Sequence, residues 1–439
     1  MSPPLLSRAA ASPRYLVGPD DAPVLLAGSH HWDSVVDNAE RTRVFDAPSF
    51  FAALARHGHT CTRLWTLWAW PHRIAPRIYE RRGPGLALDG RPRFDLDRID
   101  PAFLERLRER TMAAGAASLH TIVMLFQGWS LAARGEGDPW PDHPYHPANN
   151  ANGLDGDPAG RGDGSDVHRL RHPGVLARQE AYAESVVAAV GDLPHVLYEV
   201  ANESPPGSLP WQRHLLAHVR ACQLRLHGSP RPCGLTAEYG AREDGALFAS
   251  GADWVSPGGS AAWRRSPPAR PPAPLPVLLD TDHLWGLGGD AAWVWKAVLR
   301  GHQPLFMDPW DATPGHDETR RALGAAGRTA TGIGLASARP APELAASGYA
   351  LLAGDPGAER LLAWSPRRRH AVDLSALPAG GPFAAEWIDP LSAAAVPAGL
   401  LAAGRRHRLR APSAGAALRL VRRPAAIAAA APPAAPQFA

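Results

Sequence analysis

His195-Val-Leu-Tyr-Glu-Val-Ala-Asn-Glu-Ser204 is the stretch whose reading decides the fold. Residues 196 to 200 read as a short strand buried on both faces, as in a parallel sheet. Ser204, Pro205, Pro206 and Gly207 stop it at once, because proline has no N–H to give a ladder. The strand therefore ends by presenting Asn202 and Glu203 side by side. A carboxylate and an amide at the C-terminal end of a parallel strand stand where α/β barrels keep their chemistry. Asn and Glu are also ordinary at helix starts, so the remaining chain must choose between a site and a cap.

Strands and helices alternate on either side of this stretch. Residues 15–17 and 23–27 flank Gly18-Pro-Asp-Asp21 as a hairpin, and the second run feeds the polar loop Gly28-Ser-His-His-Trp-Asp33. The pattern predicts a helix over 48–56 and a strand over 60–65. An amphipathic helix over 99–114 would bury Phe103, Leu104, Leu107 and Met112. A strand over 118–126 then ends in Gln127-Gly-Trp129, and helix 173–190 leads into the deciding strand. Downstream come helix 211–226, strand 232–237, a short helix near 242–249 and strand 253–256. Strand 276–280, helix 290–300, strand 304–307 and helix 315–325 follow. Only a Pro- and Gly-rich loop occupies the place of a sixth outer helix.

Eight alternations predict an α/β protein, a (β/α)₈ TIM barrel over 14–340, rather than an open sheet. No Gly-x-Gly-x-x-Gly follows the first strand, which removes the support for a dinucleotide fold. Beyond 340, short apolar runs at strand spacing predict a small antiparallel β-sandwich over 341–423. Residues 1–13 read as a disordered lead, and 424–439 as a disordered Ala/Pro tail.

Composition narrows the function classes. Of 439 residues, 45% are hydrophobic and 20% charged, ordinary for a globular chain. The net charge of +4 rests on arginine, with Lys296 the single lysine. That pattern fits GC-rich coding better than a nucleic-acid surface, because no aromatic residues interleave with the basic run 367–369. No apolar run reaches the length of a membrane span. Cys61, Cys222 and Cys233 are an odd set without metal spacing, and no disulfide framework is expected. No signal peptide is visible, so the chain as written is expected in the cytoplasm, or secreted if its gene start is misassigned.

The expected strand ends share a composition. They carry Trp32, Trp65, Trp68, Trp70, Trp129, Trp285 and Trp310 among His30, His31, Arg63, Gln127, Asn202, Glu203, Asp280, Asp282, His283 and Asp308. Flat apolar rings with a single donor suit the faces of sugars, whose hydroxyl edges need amides, acids and bases. Any one of these tryptophans can equally be a core anchor. Hydrolysing a glycosidic bond needs a proton donor and a second carboxylate. Glu203 can be the first, and strand seven offers Asp280 and Asp282, which would share one face of an extended segment with Thr281 pointing away. Glu199 is expected to salt-bridge inside the barrel.

Three readings stay open. The first is a glycosidase acting on an oligo- or polysaccharide. The second is a carbohydrate-binding barrel that has lost catalysis. The third is a metal-dependent enzyme on the same fold, although His30-His31-Trp-Asp33 and Asp282-His283 lack metal-site spacing. Neither a metal nor a cofactor is expected.

With these residues the chain resembles the clan A glycoside hydrolases, the cellulase-like (β/α)₈ enzymes. The matching pieces are Tyr198-Glu-Val-Ala-Asn202-Glu203, Arg63 at the end of strand two and Trp310 after strand eight. The resemblance implies that Glu203 is the acid/base, that Asn202 binds the hydroxyl beside the reacting carbon, that Arg63 orients the nucleophile and that Trp310 floors a sugar subsite. The C-terminal part, with Phe383-Ala-Ala-Glu-Trp-Ile-Asp-Pro390, resembles a β-sandwich of the collagen-binding type. Two features depart from the pattern. The clan's strand-seven nucleophile is a Glu, whereas Leu279-Asp-Thr-Asp-His283 stands here. No aromatic residue or His after strand six is placed to bond a nucleophile, and Tyr239 is the expected substitute.

Overall fold

Residues 2–38, 45–70, 74–131 and 137–424 are described by a computed structural model of the chain. Its central sheet has eight parallel strands. They are Gly28–His30 (β1), Cys61–Trp65 (β2), His120–Gln127 (β3), Val196–Asn202 (β4), Cys233–Thr236 (β5), Trp254–Ser256 (β6), Leu278–Asp280 (β7) and Gln303–Met307 (β8). Neighbours run β6-β5-β4-β3-β2-β1-β8-β7. A parallel bridge from Val255 to Val277 joins the two ends and closes the ring. The outer helices are Ala47–His57 (α1), Pro101–Ala116 (α2), Pro173–Val190 (α3), Leu209–His227 (α4), Gly245–Phe248 (α5), Ala261–Arg265 (α6), Thr281–Leu284 (α7), Ala291–Leu299 (α8) and Pro314–Gly332 (α9).

Local chemistry sets these boundaries. Asp46, Asp100 and Asp290 cap α1, α2 and α8 by accepting from the backbone N–H groups of Ser49, Ala102 and Trp293 in their first turns. Three expectations are corrected. The sixth helix exists as the single turn α6, held by buried Trp263. Met112 is exposed, because nine residues at 100° each place it opposite Phe103, and Thr111 and Ala114 continue the buried stripe instead. The segment before residue 14 is structured: Ser7 bridges Val17, and Leu6 is buried. The tail from residue 425 lies outside the described residues.

The interior of the ring is layered by the two-residue period of strands. Leu26, Cys61, Ile122, Leu197, Trp254, Leu278 and Leu305 form an apolar floor, joined by Leu6 and Leu16. Two residues further along their strands stand Arg63, Glu199, Ser256 and Asp280, all buried. The sequence thus switches from floor to charged layer in one step of the pleat, toward the C-terminal ends.

After the barrel, Arg339–Pro340 (β9), Ala350–Ala353 (β10), Arg360–Trp364 (β11), Phe383–Ile388 (β13), Ala395–Leu401 (β14) and Ala417–Arg422 (β16) form an antiparallel sheet in the order β9-β10-β11-β16-β13-β14. Arg369–Asp373 (β12) and Arg406–Arg410 (β15) pair as a separate ribbon. Together they make the β-sandwich, with its own core of Leu361, Phe383, Leu418 and Leu420. It is docked on α8: the Trp295 indole N–H donates to the Pro390 carbonyl at 3.0 Å.

Gly28 is where β1 and β2 come closest. A Cβ placed there would lie 1.9 Å from the Cys61 carbonyl oxygen. Gly28→Ala should therefore force the strands apart and cost about 1–3 kcal/mol or more in urea unfolding. An unchanged unfolding midpoint would contradict this packing.

Candidate active site

Three strands and one helical turn meet around one guanidinium. Arg63, midway along β2, lies 3.2 Å from Glu199 of β4 and 2.9 Å from Asp280 of β7, both through Nη1. Its Nη2 donates to Asp282 Oδ2 at 3.1 Å. The Glu199 contact is the salt bridge expected inside the barrel. Burial pushes Glu199 up to about 7; Arg63 opposes this, while Asp280 and Asp282 add to the rise. For Asp280 burial acts in the same upward sense, but Arg63 and His30 outweigh it and hold the carboxyl well below its ordinary range.

A second relay orients Asp280. Trp65 Nε1 donates to His30 Nδ1 at 2.8 Å, which leaves the imidazole proton on Nε2 to donate to Asp280 Oδ1 at 3.0 Å. His30 is wholly buried, so it acts through Asp280. Asp280 also caps α7 by accepting from the Asp282 N–H at 2.9 Å. Asp280 and Asp282 are therefore not on an extended segment as expected. The chain enters a helical turn at Thr281, and both acids still reach Arg63.

A third relay crosses the barrel mouth. Asn202 Nδ2 donates to Asp282 Oδ2 at 3.0 Å, and its Oδ1 accepts from His283 Nε2. Ser256, at the end of β6, then donates from Oγ to His283 Nδ1 at 2.8 Å. Burial lowers His283 despite the acids nearby, in keeping with a neutral ring. Two donors converge on Asp282 Oδ2, whereas Oδ1 accepts no hydrogen bond from a described residue.

Glu203 faces the same space by a break in the backbone. Val200 and Ala201 both pack into the main core, which interrupts the alternation and lets Asn202 turn inward. Glu203 itself takes φ +43°, a left-handed conformation unusual for a side chain with a Cβ. Its Oε2 accepts from Trp129 Nε1 at 2.5 Å. Glu203, Asp282, His283, Trp129, Tyr239 and Trp285 line one cavity of about 600 Å³. Trp129 also borders a smaller cavity of about 120 Å³ walled by Trp32, Trp65 and Trp70.

Not every expected residue joins them. Trp68 is a core residue, packed on Phe126 and Tyr182 with its N–H on the Leu125 carbonyl. His31 is stacked between Trp32 and Phe45 and lines neither cavity. Nor does Trp310, whose ring meets Phe50 edge-on with the Arg320 guanidinium 5.5 Å from its centre. Gln127 stands beside Asn202 in register, buried, with neither side-chain atom hydrogen-bonded. Sequence reasoning missed two residues. Ser256 is a small hydroxyl with no local sequence signal, and Glu238 sits beside the more conspicuous Tyr239. Glu238 accepts from the Gly207 and Leu209 N–H groups and so fixes the turn after Glu203. Among the described residues the one close group of metal-ligand types, Glu184, His218 and Cys222, lies on α3 and α4, away from this mouth.

The raised Glu199 gives a pH signature. A carboxyl that holds its proton more tightly folded than unfolded loses stabilisation as pH rises from about 4.5 to about 7. Glu199→Gln removes that titration, so the melting temperature of the variant relative to wild type should improve between pH 5 and pH 8. A difference independent of pH would contradict the assignment.

No protein-family model matches the chain, and no curated protein matches it in sequence. Solved structures do match. One, titled a glycoside hydrolase, is 11% identical with a TM-score of 0.63, covering 95% of this chain and 97% of its own. A glycoside hydrolase family 5 protein from Bacteroides vulgatus is 11% identical with a TM-score of 0.60, covering 95% of this chain and 93% of its own. The likeness runs through barrel and sandwich together, and it shows that the two-part fold is one this chain shares with solved glycoside hydrolases.

Proposed function

We propose that the chain hydrolyses O-glycosidic bonds of an oligo- or polysaccharide, with Glu203 as general acid/base and Asp282 as the second carboxylate. The observation that carries this reading is that both acids line one cavity, each held by its own donors. The shared fold with solved glycoside hydrolases supports it. Glu203 gives its proton to the departing oxygen while Trp129 holds Oε2. Asp282, anchored through Oδ2 by Arg63 and Asn202, meets the positive charge growing at the anomeric carbon with Oδ1. It does so as nucleophile or as base to a water, and the anomeric form of the first product distinguishes the two. Asp280 is a positioning residue that shares Arg63 with Asp282.

The sugar is held by flat and polar groups around this pair. Trp129 and Trp285 offer ring faces, and Tyr239 offers its phenol oxygen.

Glu203→Gln should lower kcat on a glycoside with a poor leaving group by roughly 10²–10⁴-fold while sugar binding persists. Asp282→Asn should lose turnover comparably, and Asp280→Asn should lose less. Initial rates with calorimetric binding check this. A wild-type protein that binds glycan and cleaves none, or a fully active Glu203→Gln, would overturn the proposal.

A further inference from the structure

The C-terminal ribbon carries a charge pattern that folding alone does not explain. In the register of β12 and β15, Arg369 stands opposite Arg410, and Arg408 stands opposite Ala371, two residues along the same face. Like charges directly across a ladder destabilise it. At the other end of the ribbon the chain balances its charges, since Asp373 lies opposite Arg406 and accepts from its Nε at 2.5 Å. A groove of about 860 Å³ runs along the unbalanced end, lined also by Arg367 and by Lys296 from α8. Among the described residues no carboxylate lines it. Among the described residues none of these five cations has an ion-pair partner, while Arg406 and Arg419 nearby both do. The four arginines are exposed, so their charges stay available to solvent and ligand.

We infer that this groove binds an anionic polysaccharide through carboxylates or sulfates seated among Arg369, Arg408 and Arg410. The guanidinium fork matches either group in a two-point contact. Five cations spread along a groove, rather than gathered at a point, suit a chain bearing repeated charges. Tyr349, the groove's one carbocyclic ring, is buried, with Arg300 at 4.8 Å and Lys296 at 5.8 Å from its centre. No exposed ring remains there to stack a base, which favours a glycan over a single-stranded nucleic acid. The choice of a glycan rests on the reading of the barrel mouth as a carbohydrate site; the charge of the ligand rests on the groove alone.

The test uses the full chain. Binding is measured against polygalacturonate for carboxylates and dextran sulfate for sulfates, with neutral dextran and oligo-dT as controls at one ionic strength. Wild type should bind at least one of the two polyanions, more weakly as salt rises. The triple variant Arg369→Ala, Arg408→Ala, Arg410→Ala should bind it at least about tenfold more weakly. Unchanged circular dichroism keeps a folding defect from imitating that loss. Glu203→Gln should bind the polyanion as wild type does. Arginine-dependent binding by a chain that cleaves no glycoside would sustain this inference while removing the proposed hydrolysis. Equal binding by triple variant and wild type, binding of neither polyanion, or tighter binding of oligo-dT would overturn it.

Discussion

The guanidinium of Arg63 is buried among three carboxylates, and the geometry of the barrel mouth depends on it. It draws together buried acids from β4, β7 and α7 that would otherwise repel one another. One positive charge cannot balance three negative ones at low dielectric. The arrangement resolves this by letting Glu199 hold a proton near neutrality while Asp280 stays ionised. Removing Arg63 would leave uncompensated buried acids, a defect that ordinarily costs about 3–5 kcal/mol. The same contacts that stabilise the ring also aim Asp282 into the cavity, so fold and site share one support.

Glu203 is fixed by a different device. Its left-handed backbone is a local strain of about 1–3 kcal/mol that persists only where the surroundings over-determine it. The surroundings do so from both sides. Trp129 holds the side chain, and Glu238 pins the turn Gly207–Leu209 that follows. The two candidate carboxylates thus sit just past the ends of β4 and β7, each supported by further hydrogen bonds, the condition under which a reacting geometry is kept before substrate arrives.

The fold was legible because strands buried on both faces, such as Val196–Asn202, carry an apolar run that polar or Pro-rich segments interrupt sharply. The acids were legible for the same reason, since strand ends are easy to find. What sequence could not supply was direction. Trp65 ends β2 and walls a cavity, whereas Trp68, three residues on, is buried against Phe126. Asp280 and Asp282 were expected on one extended face, but a side chain capping its own helical turn changes which of them reaches the cavity. Met112 was misplaced by a phase error of half a turn, visible only by counting from Phe103. Ser256 and Glu238 are small or commonplace residues whose roles come from partners distant in sequence. The lead segment has too little apolar content to announce that Leu6 joins the barrel floor.

A crystal structure of the Glu203→Gln variant with an uncleaved oligosaccharide tests the central claim most directly. The glycosidic oxygen is expected within about 3.2 Å of the amide introduced at position 203, with the anomeric carbon of the same bond facing Asp282. Sugar lodged elsewhere on the chain, or a scissile bond that meets residue 203 but turns away from Asp282, would contradict the account.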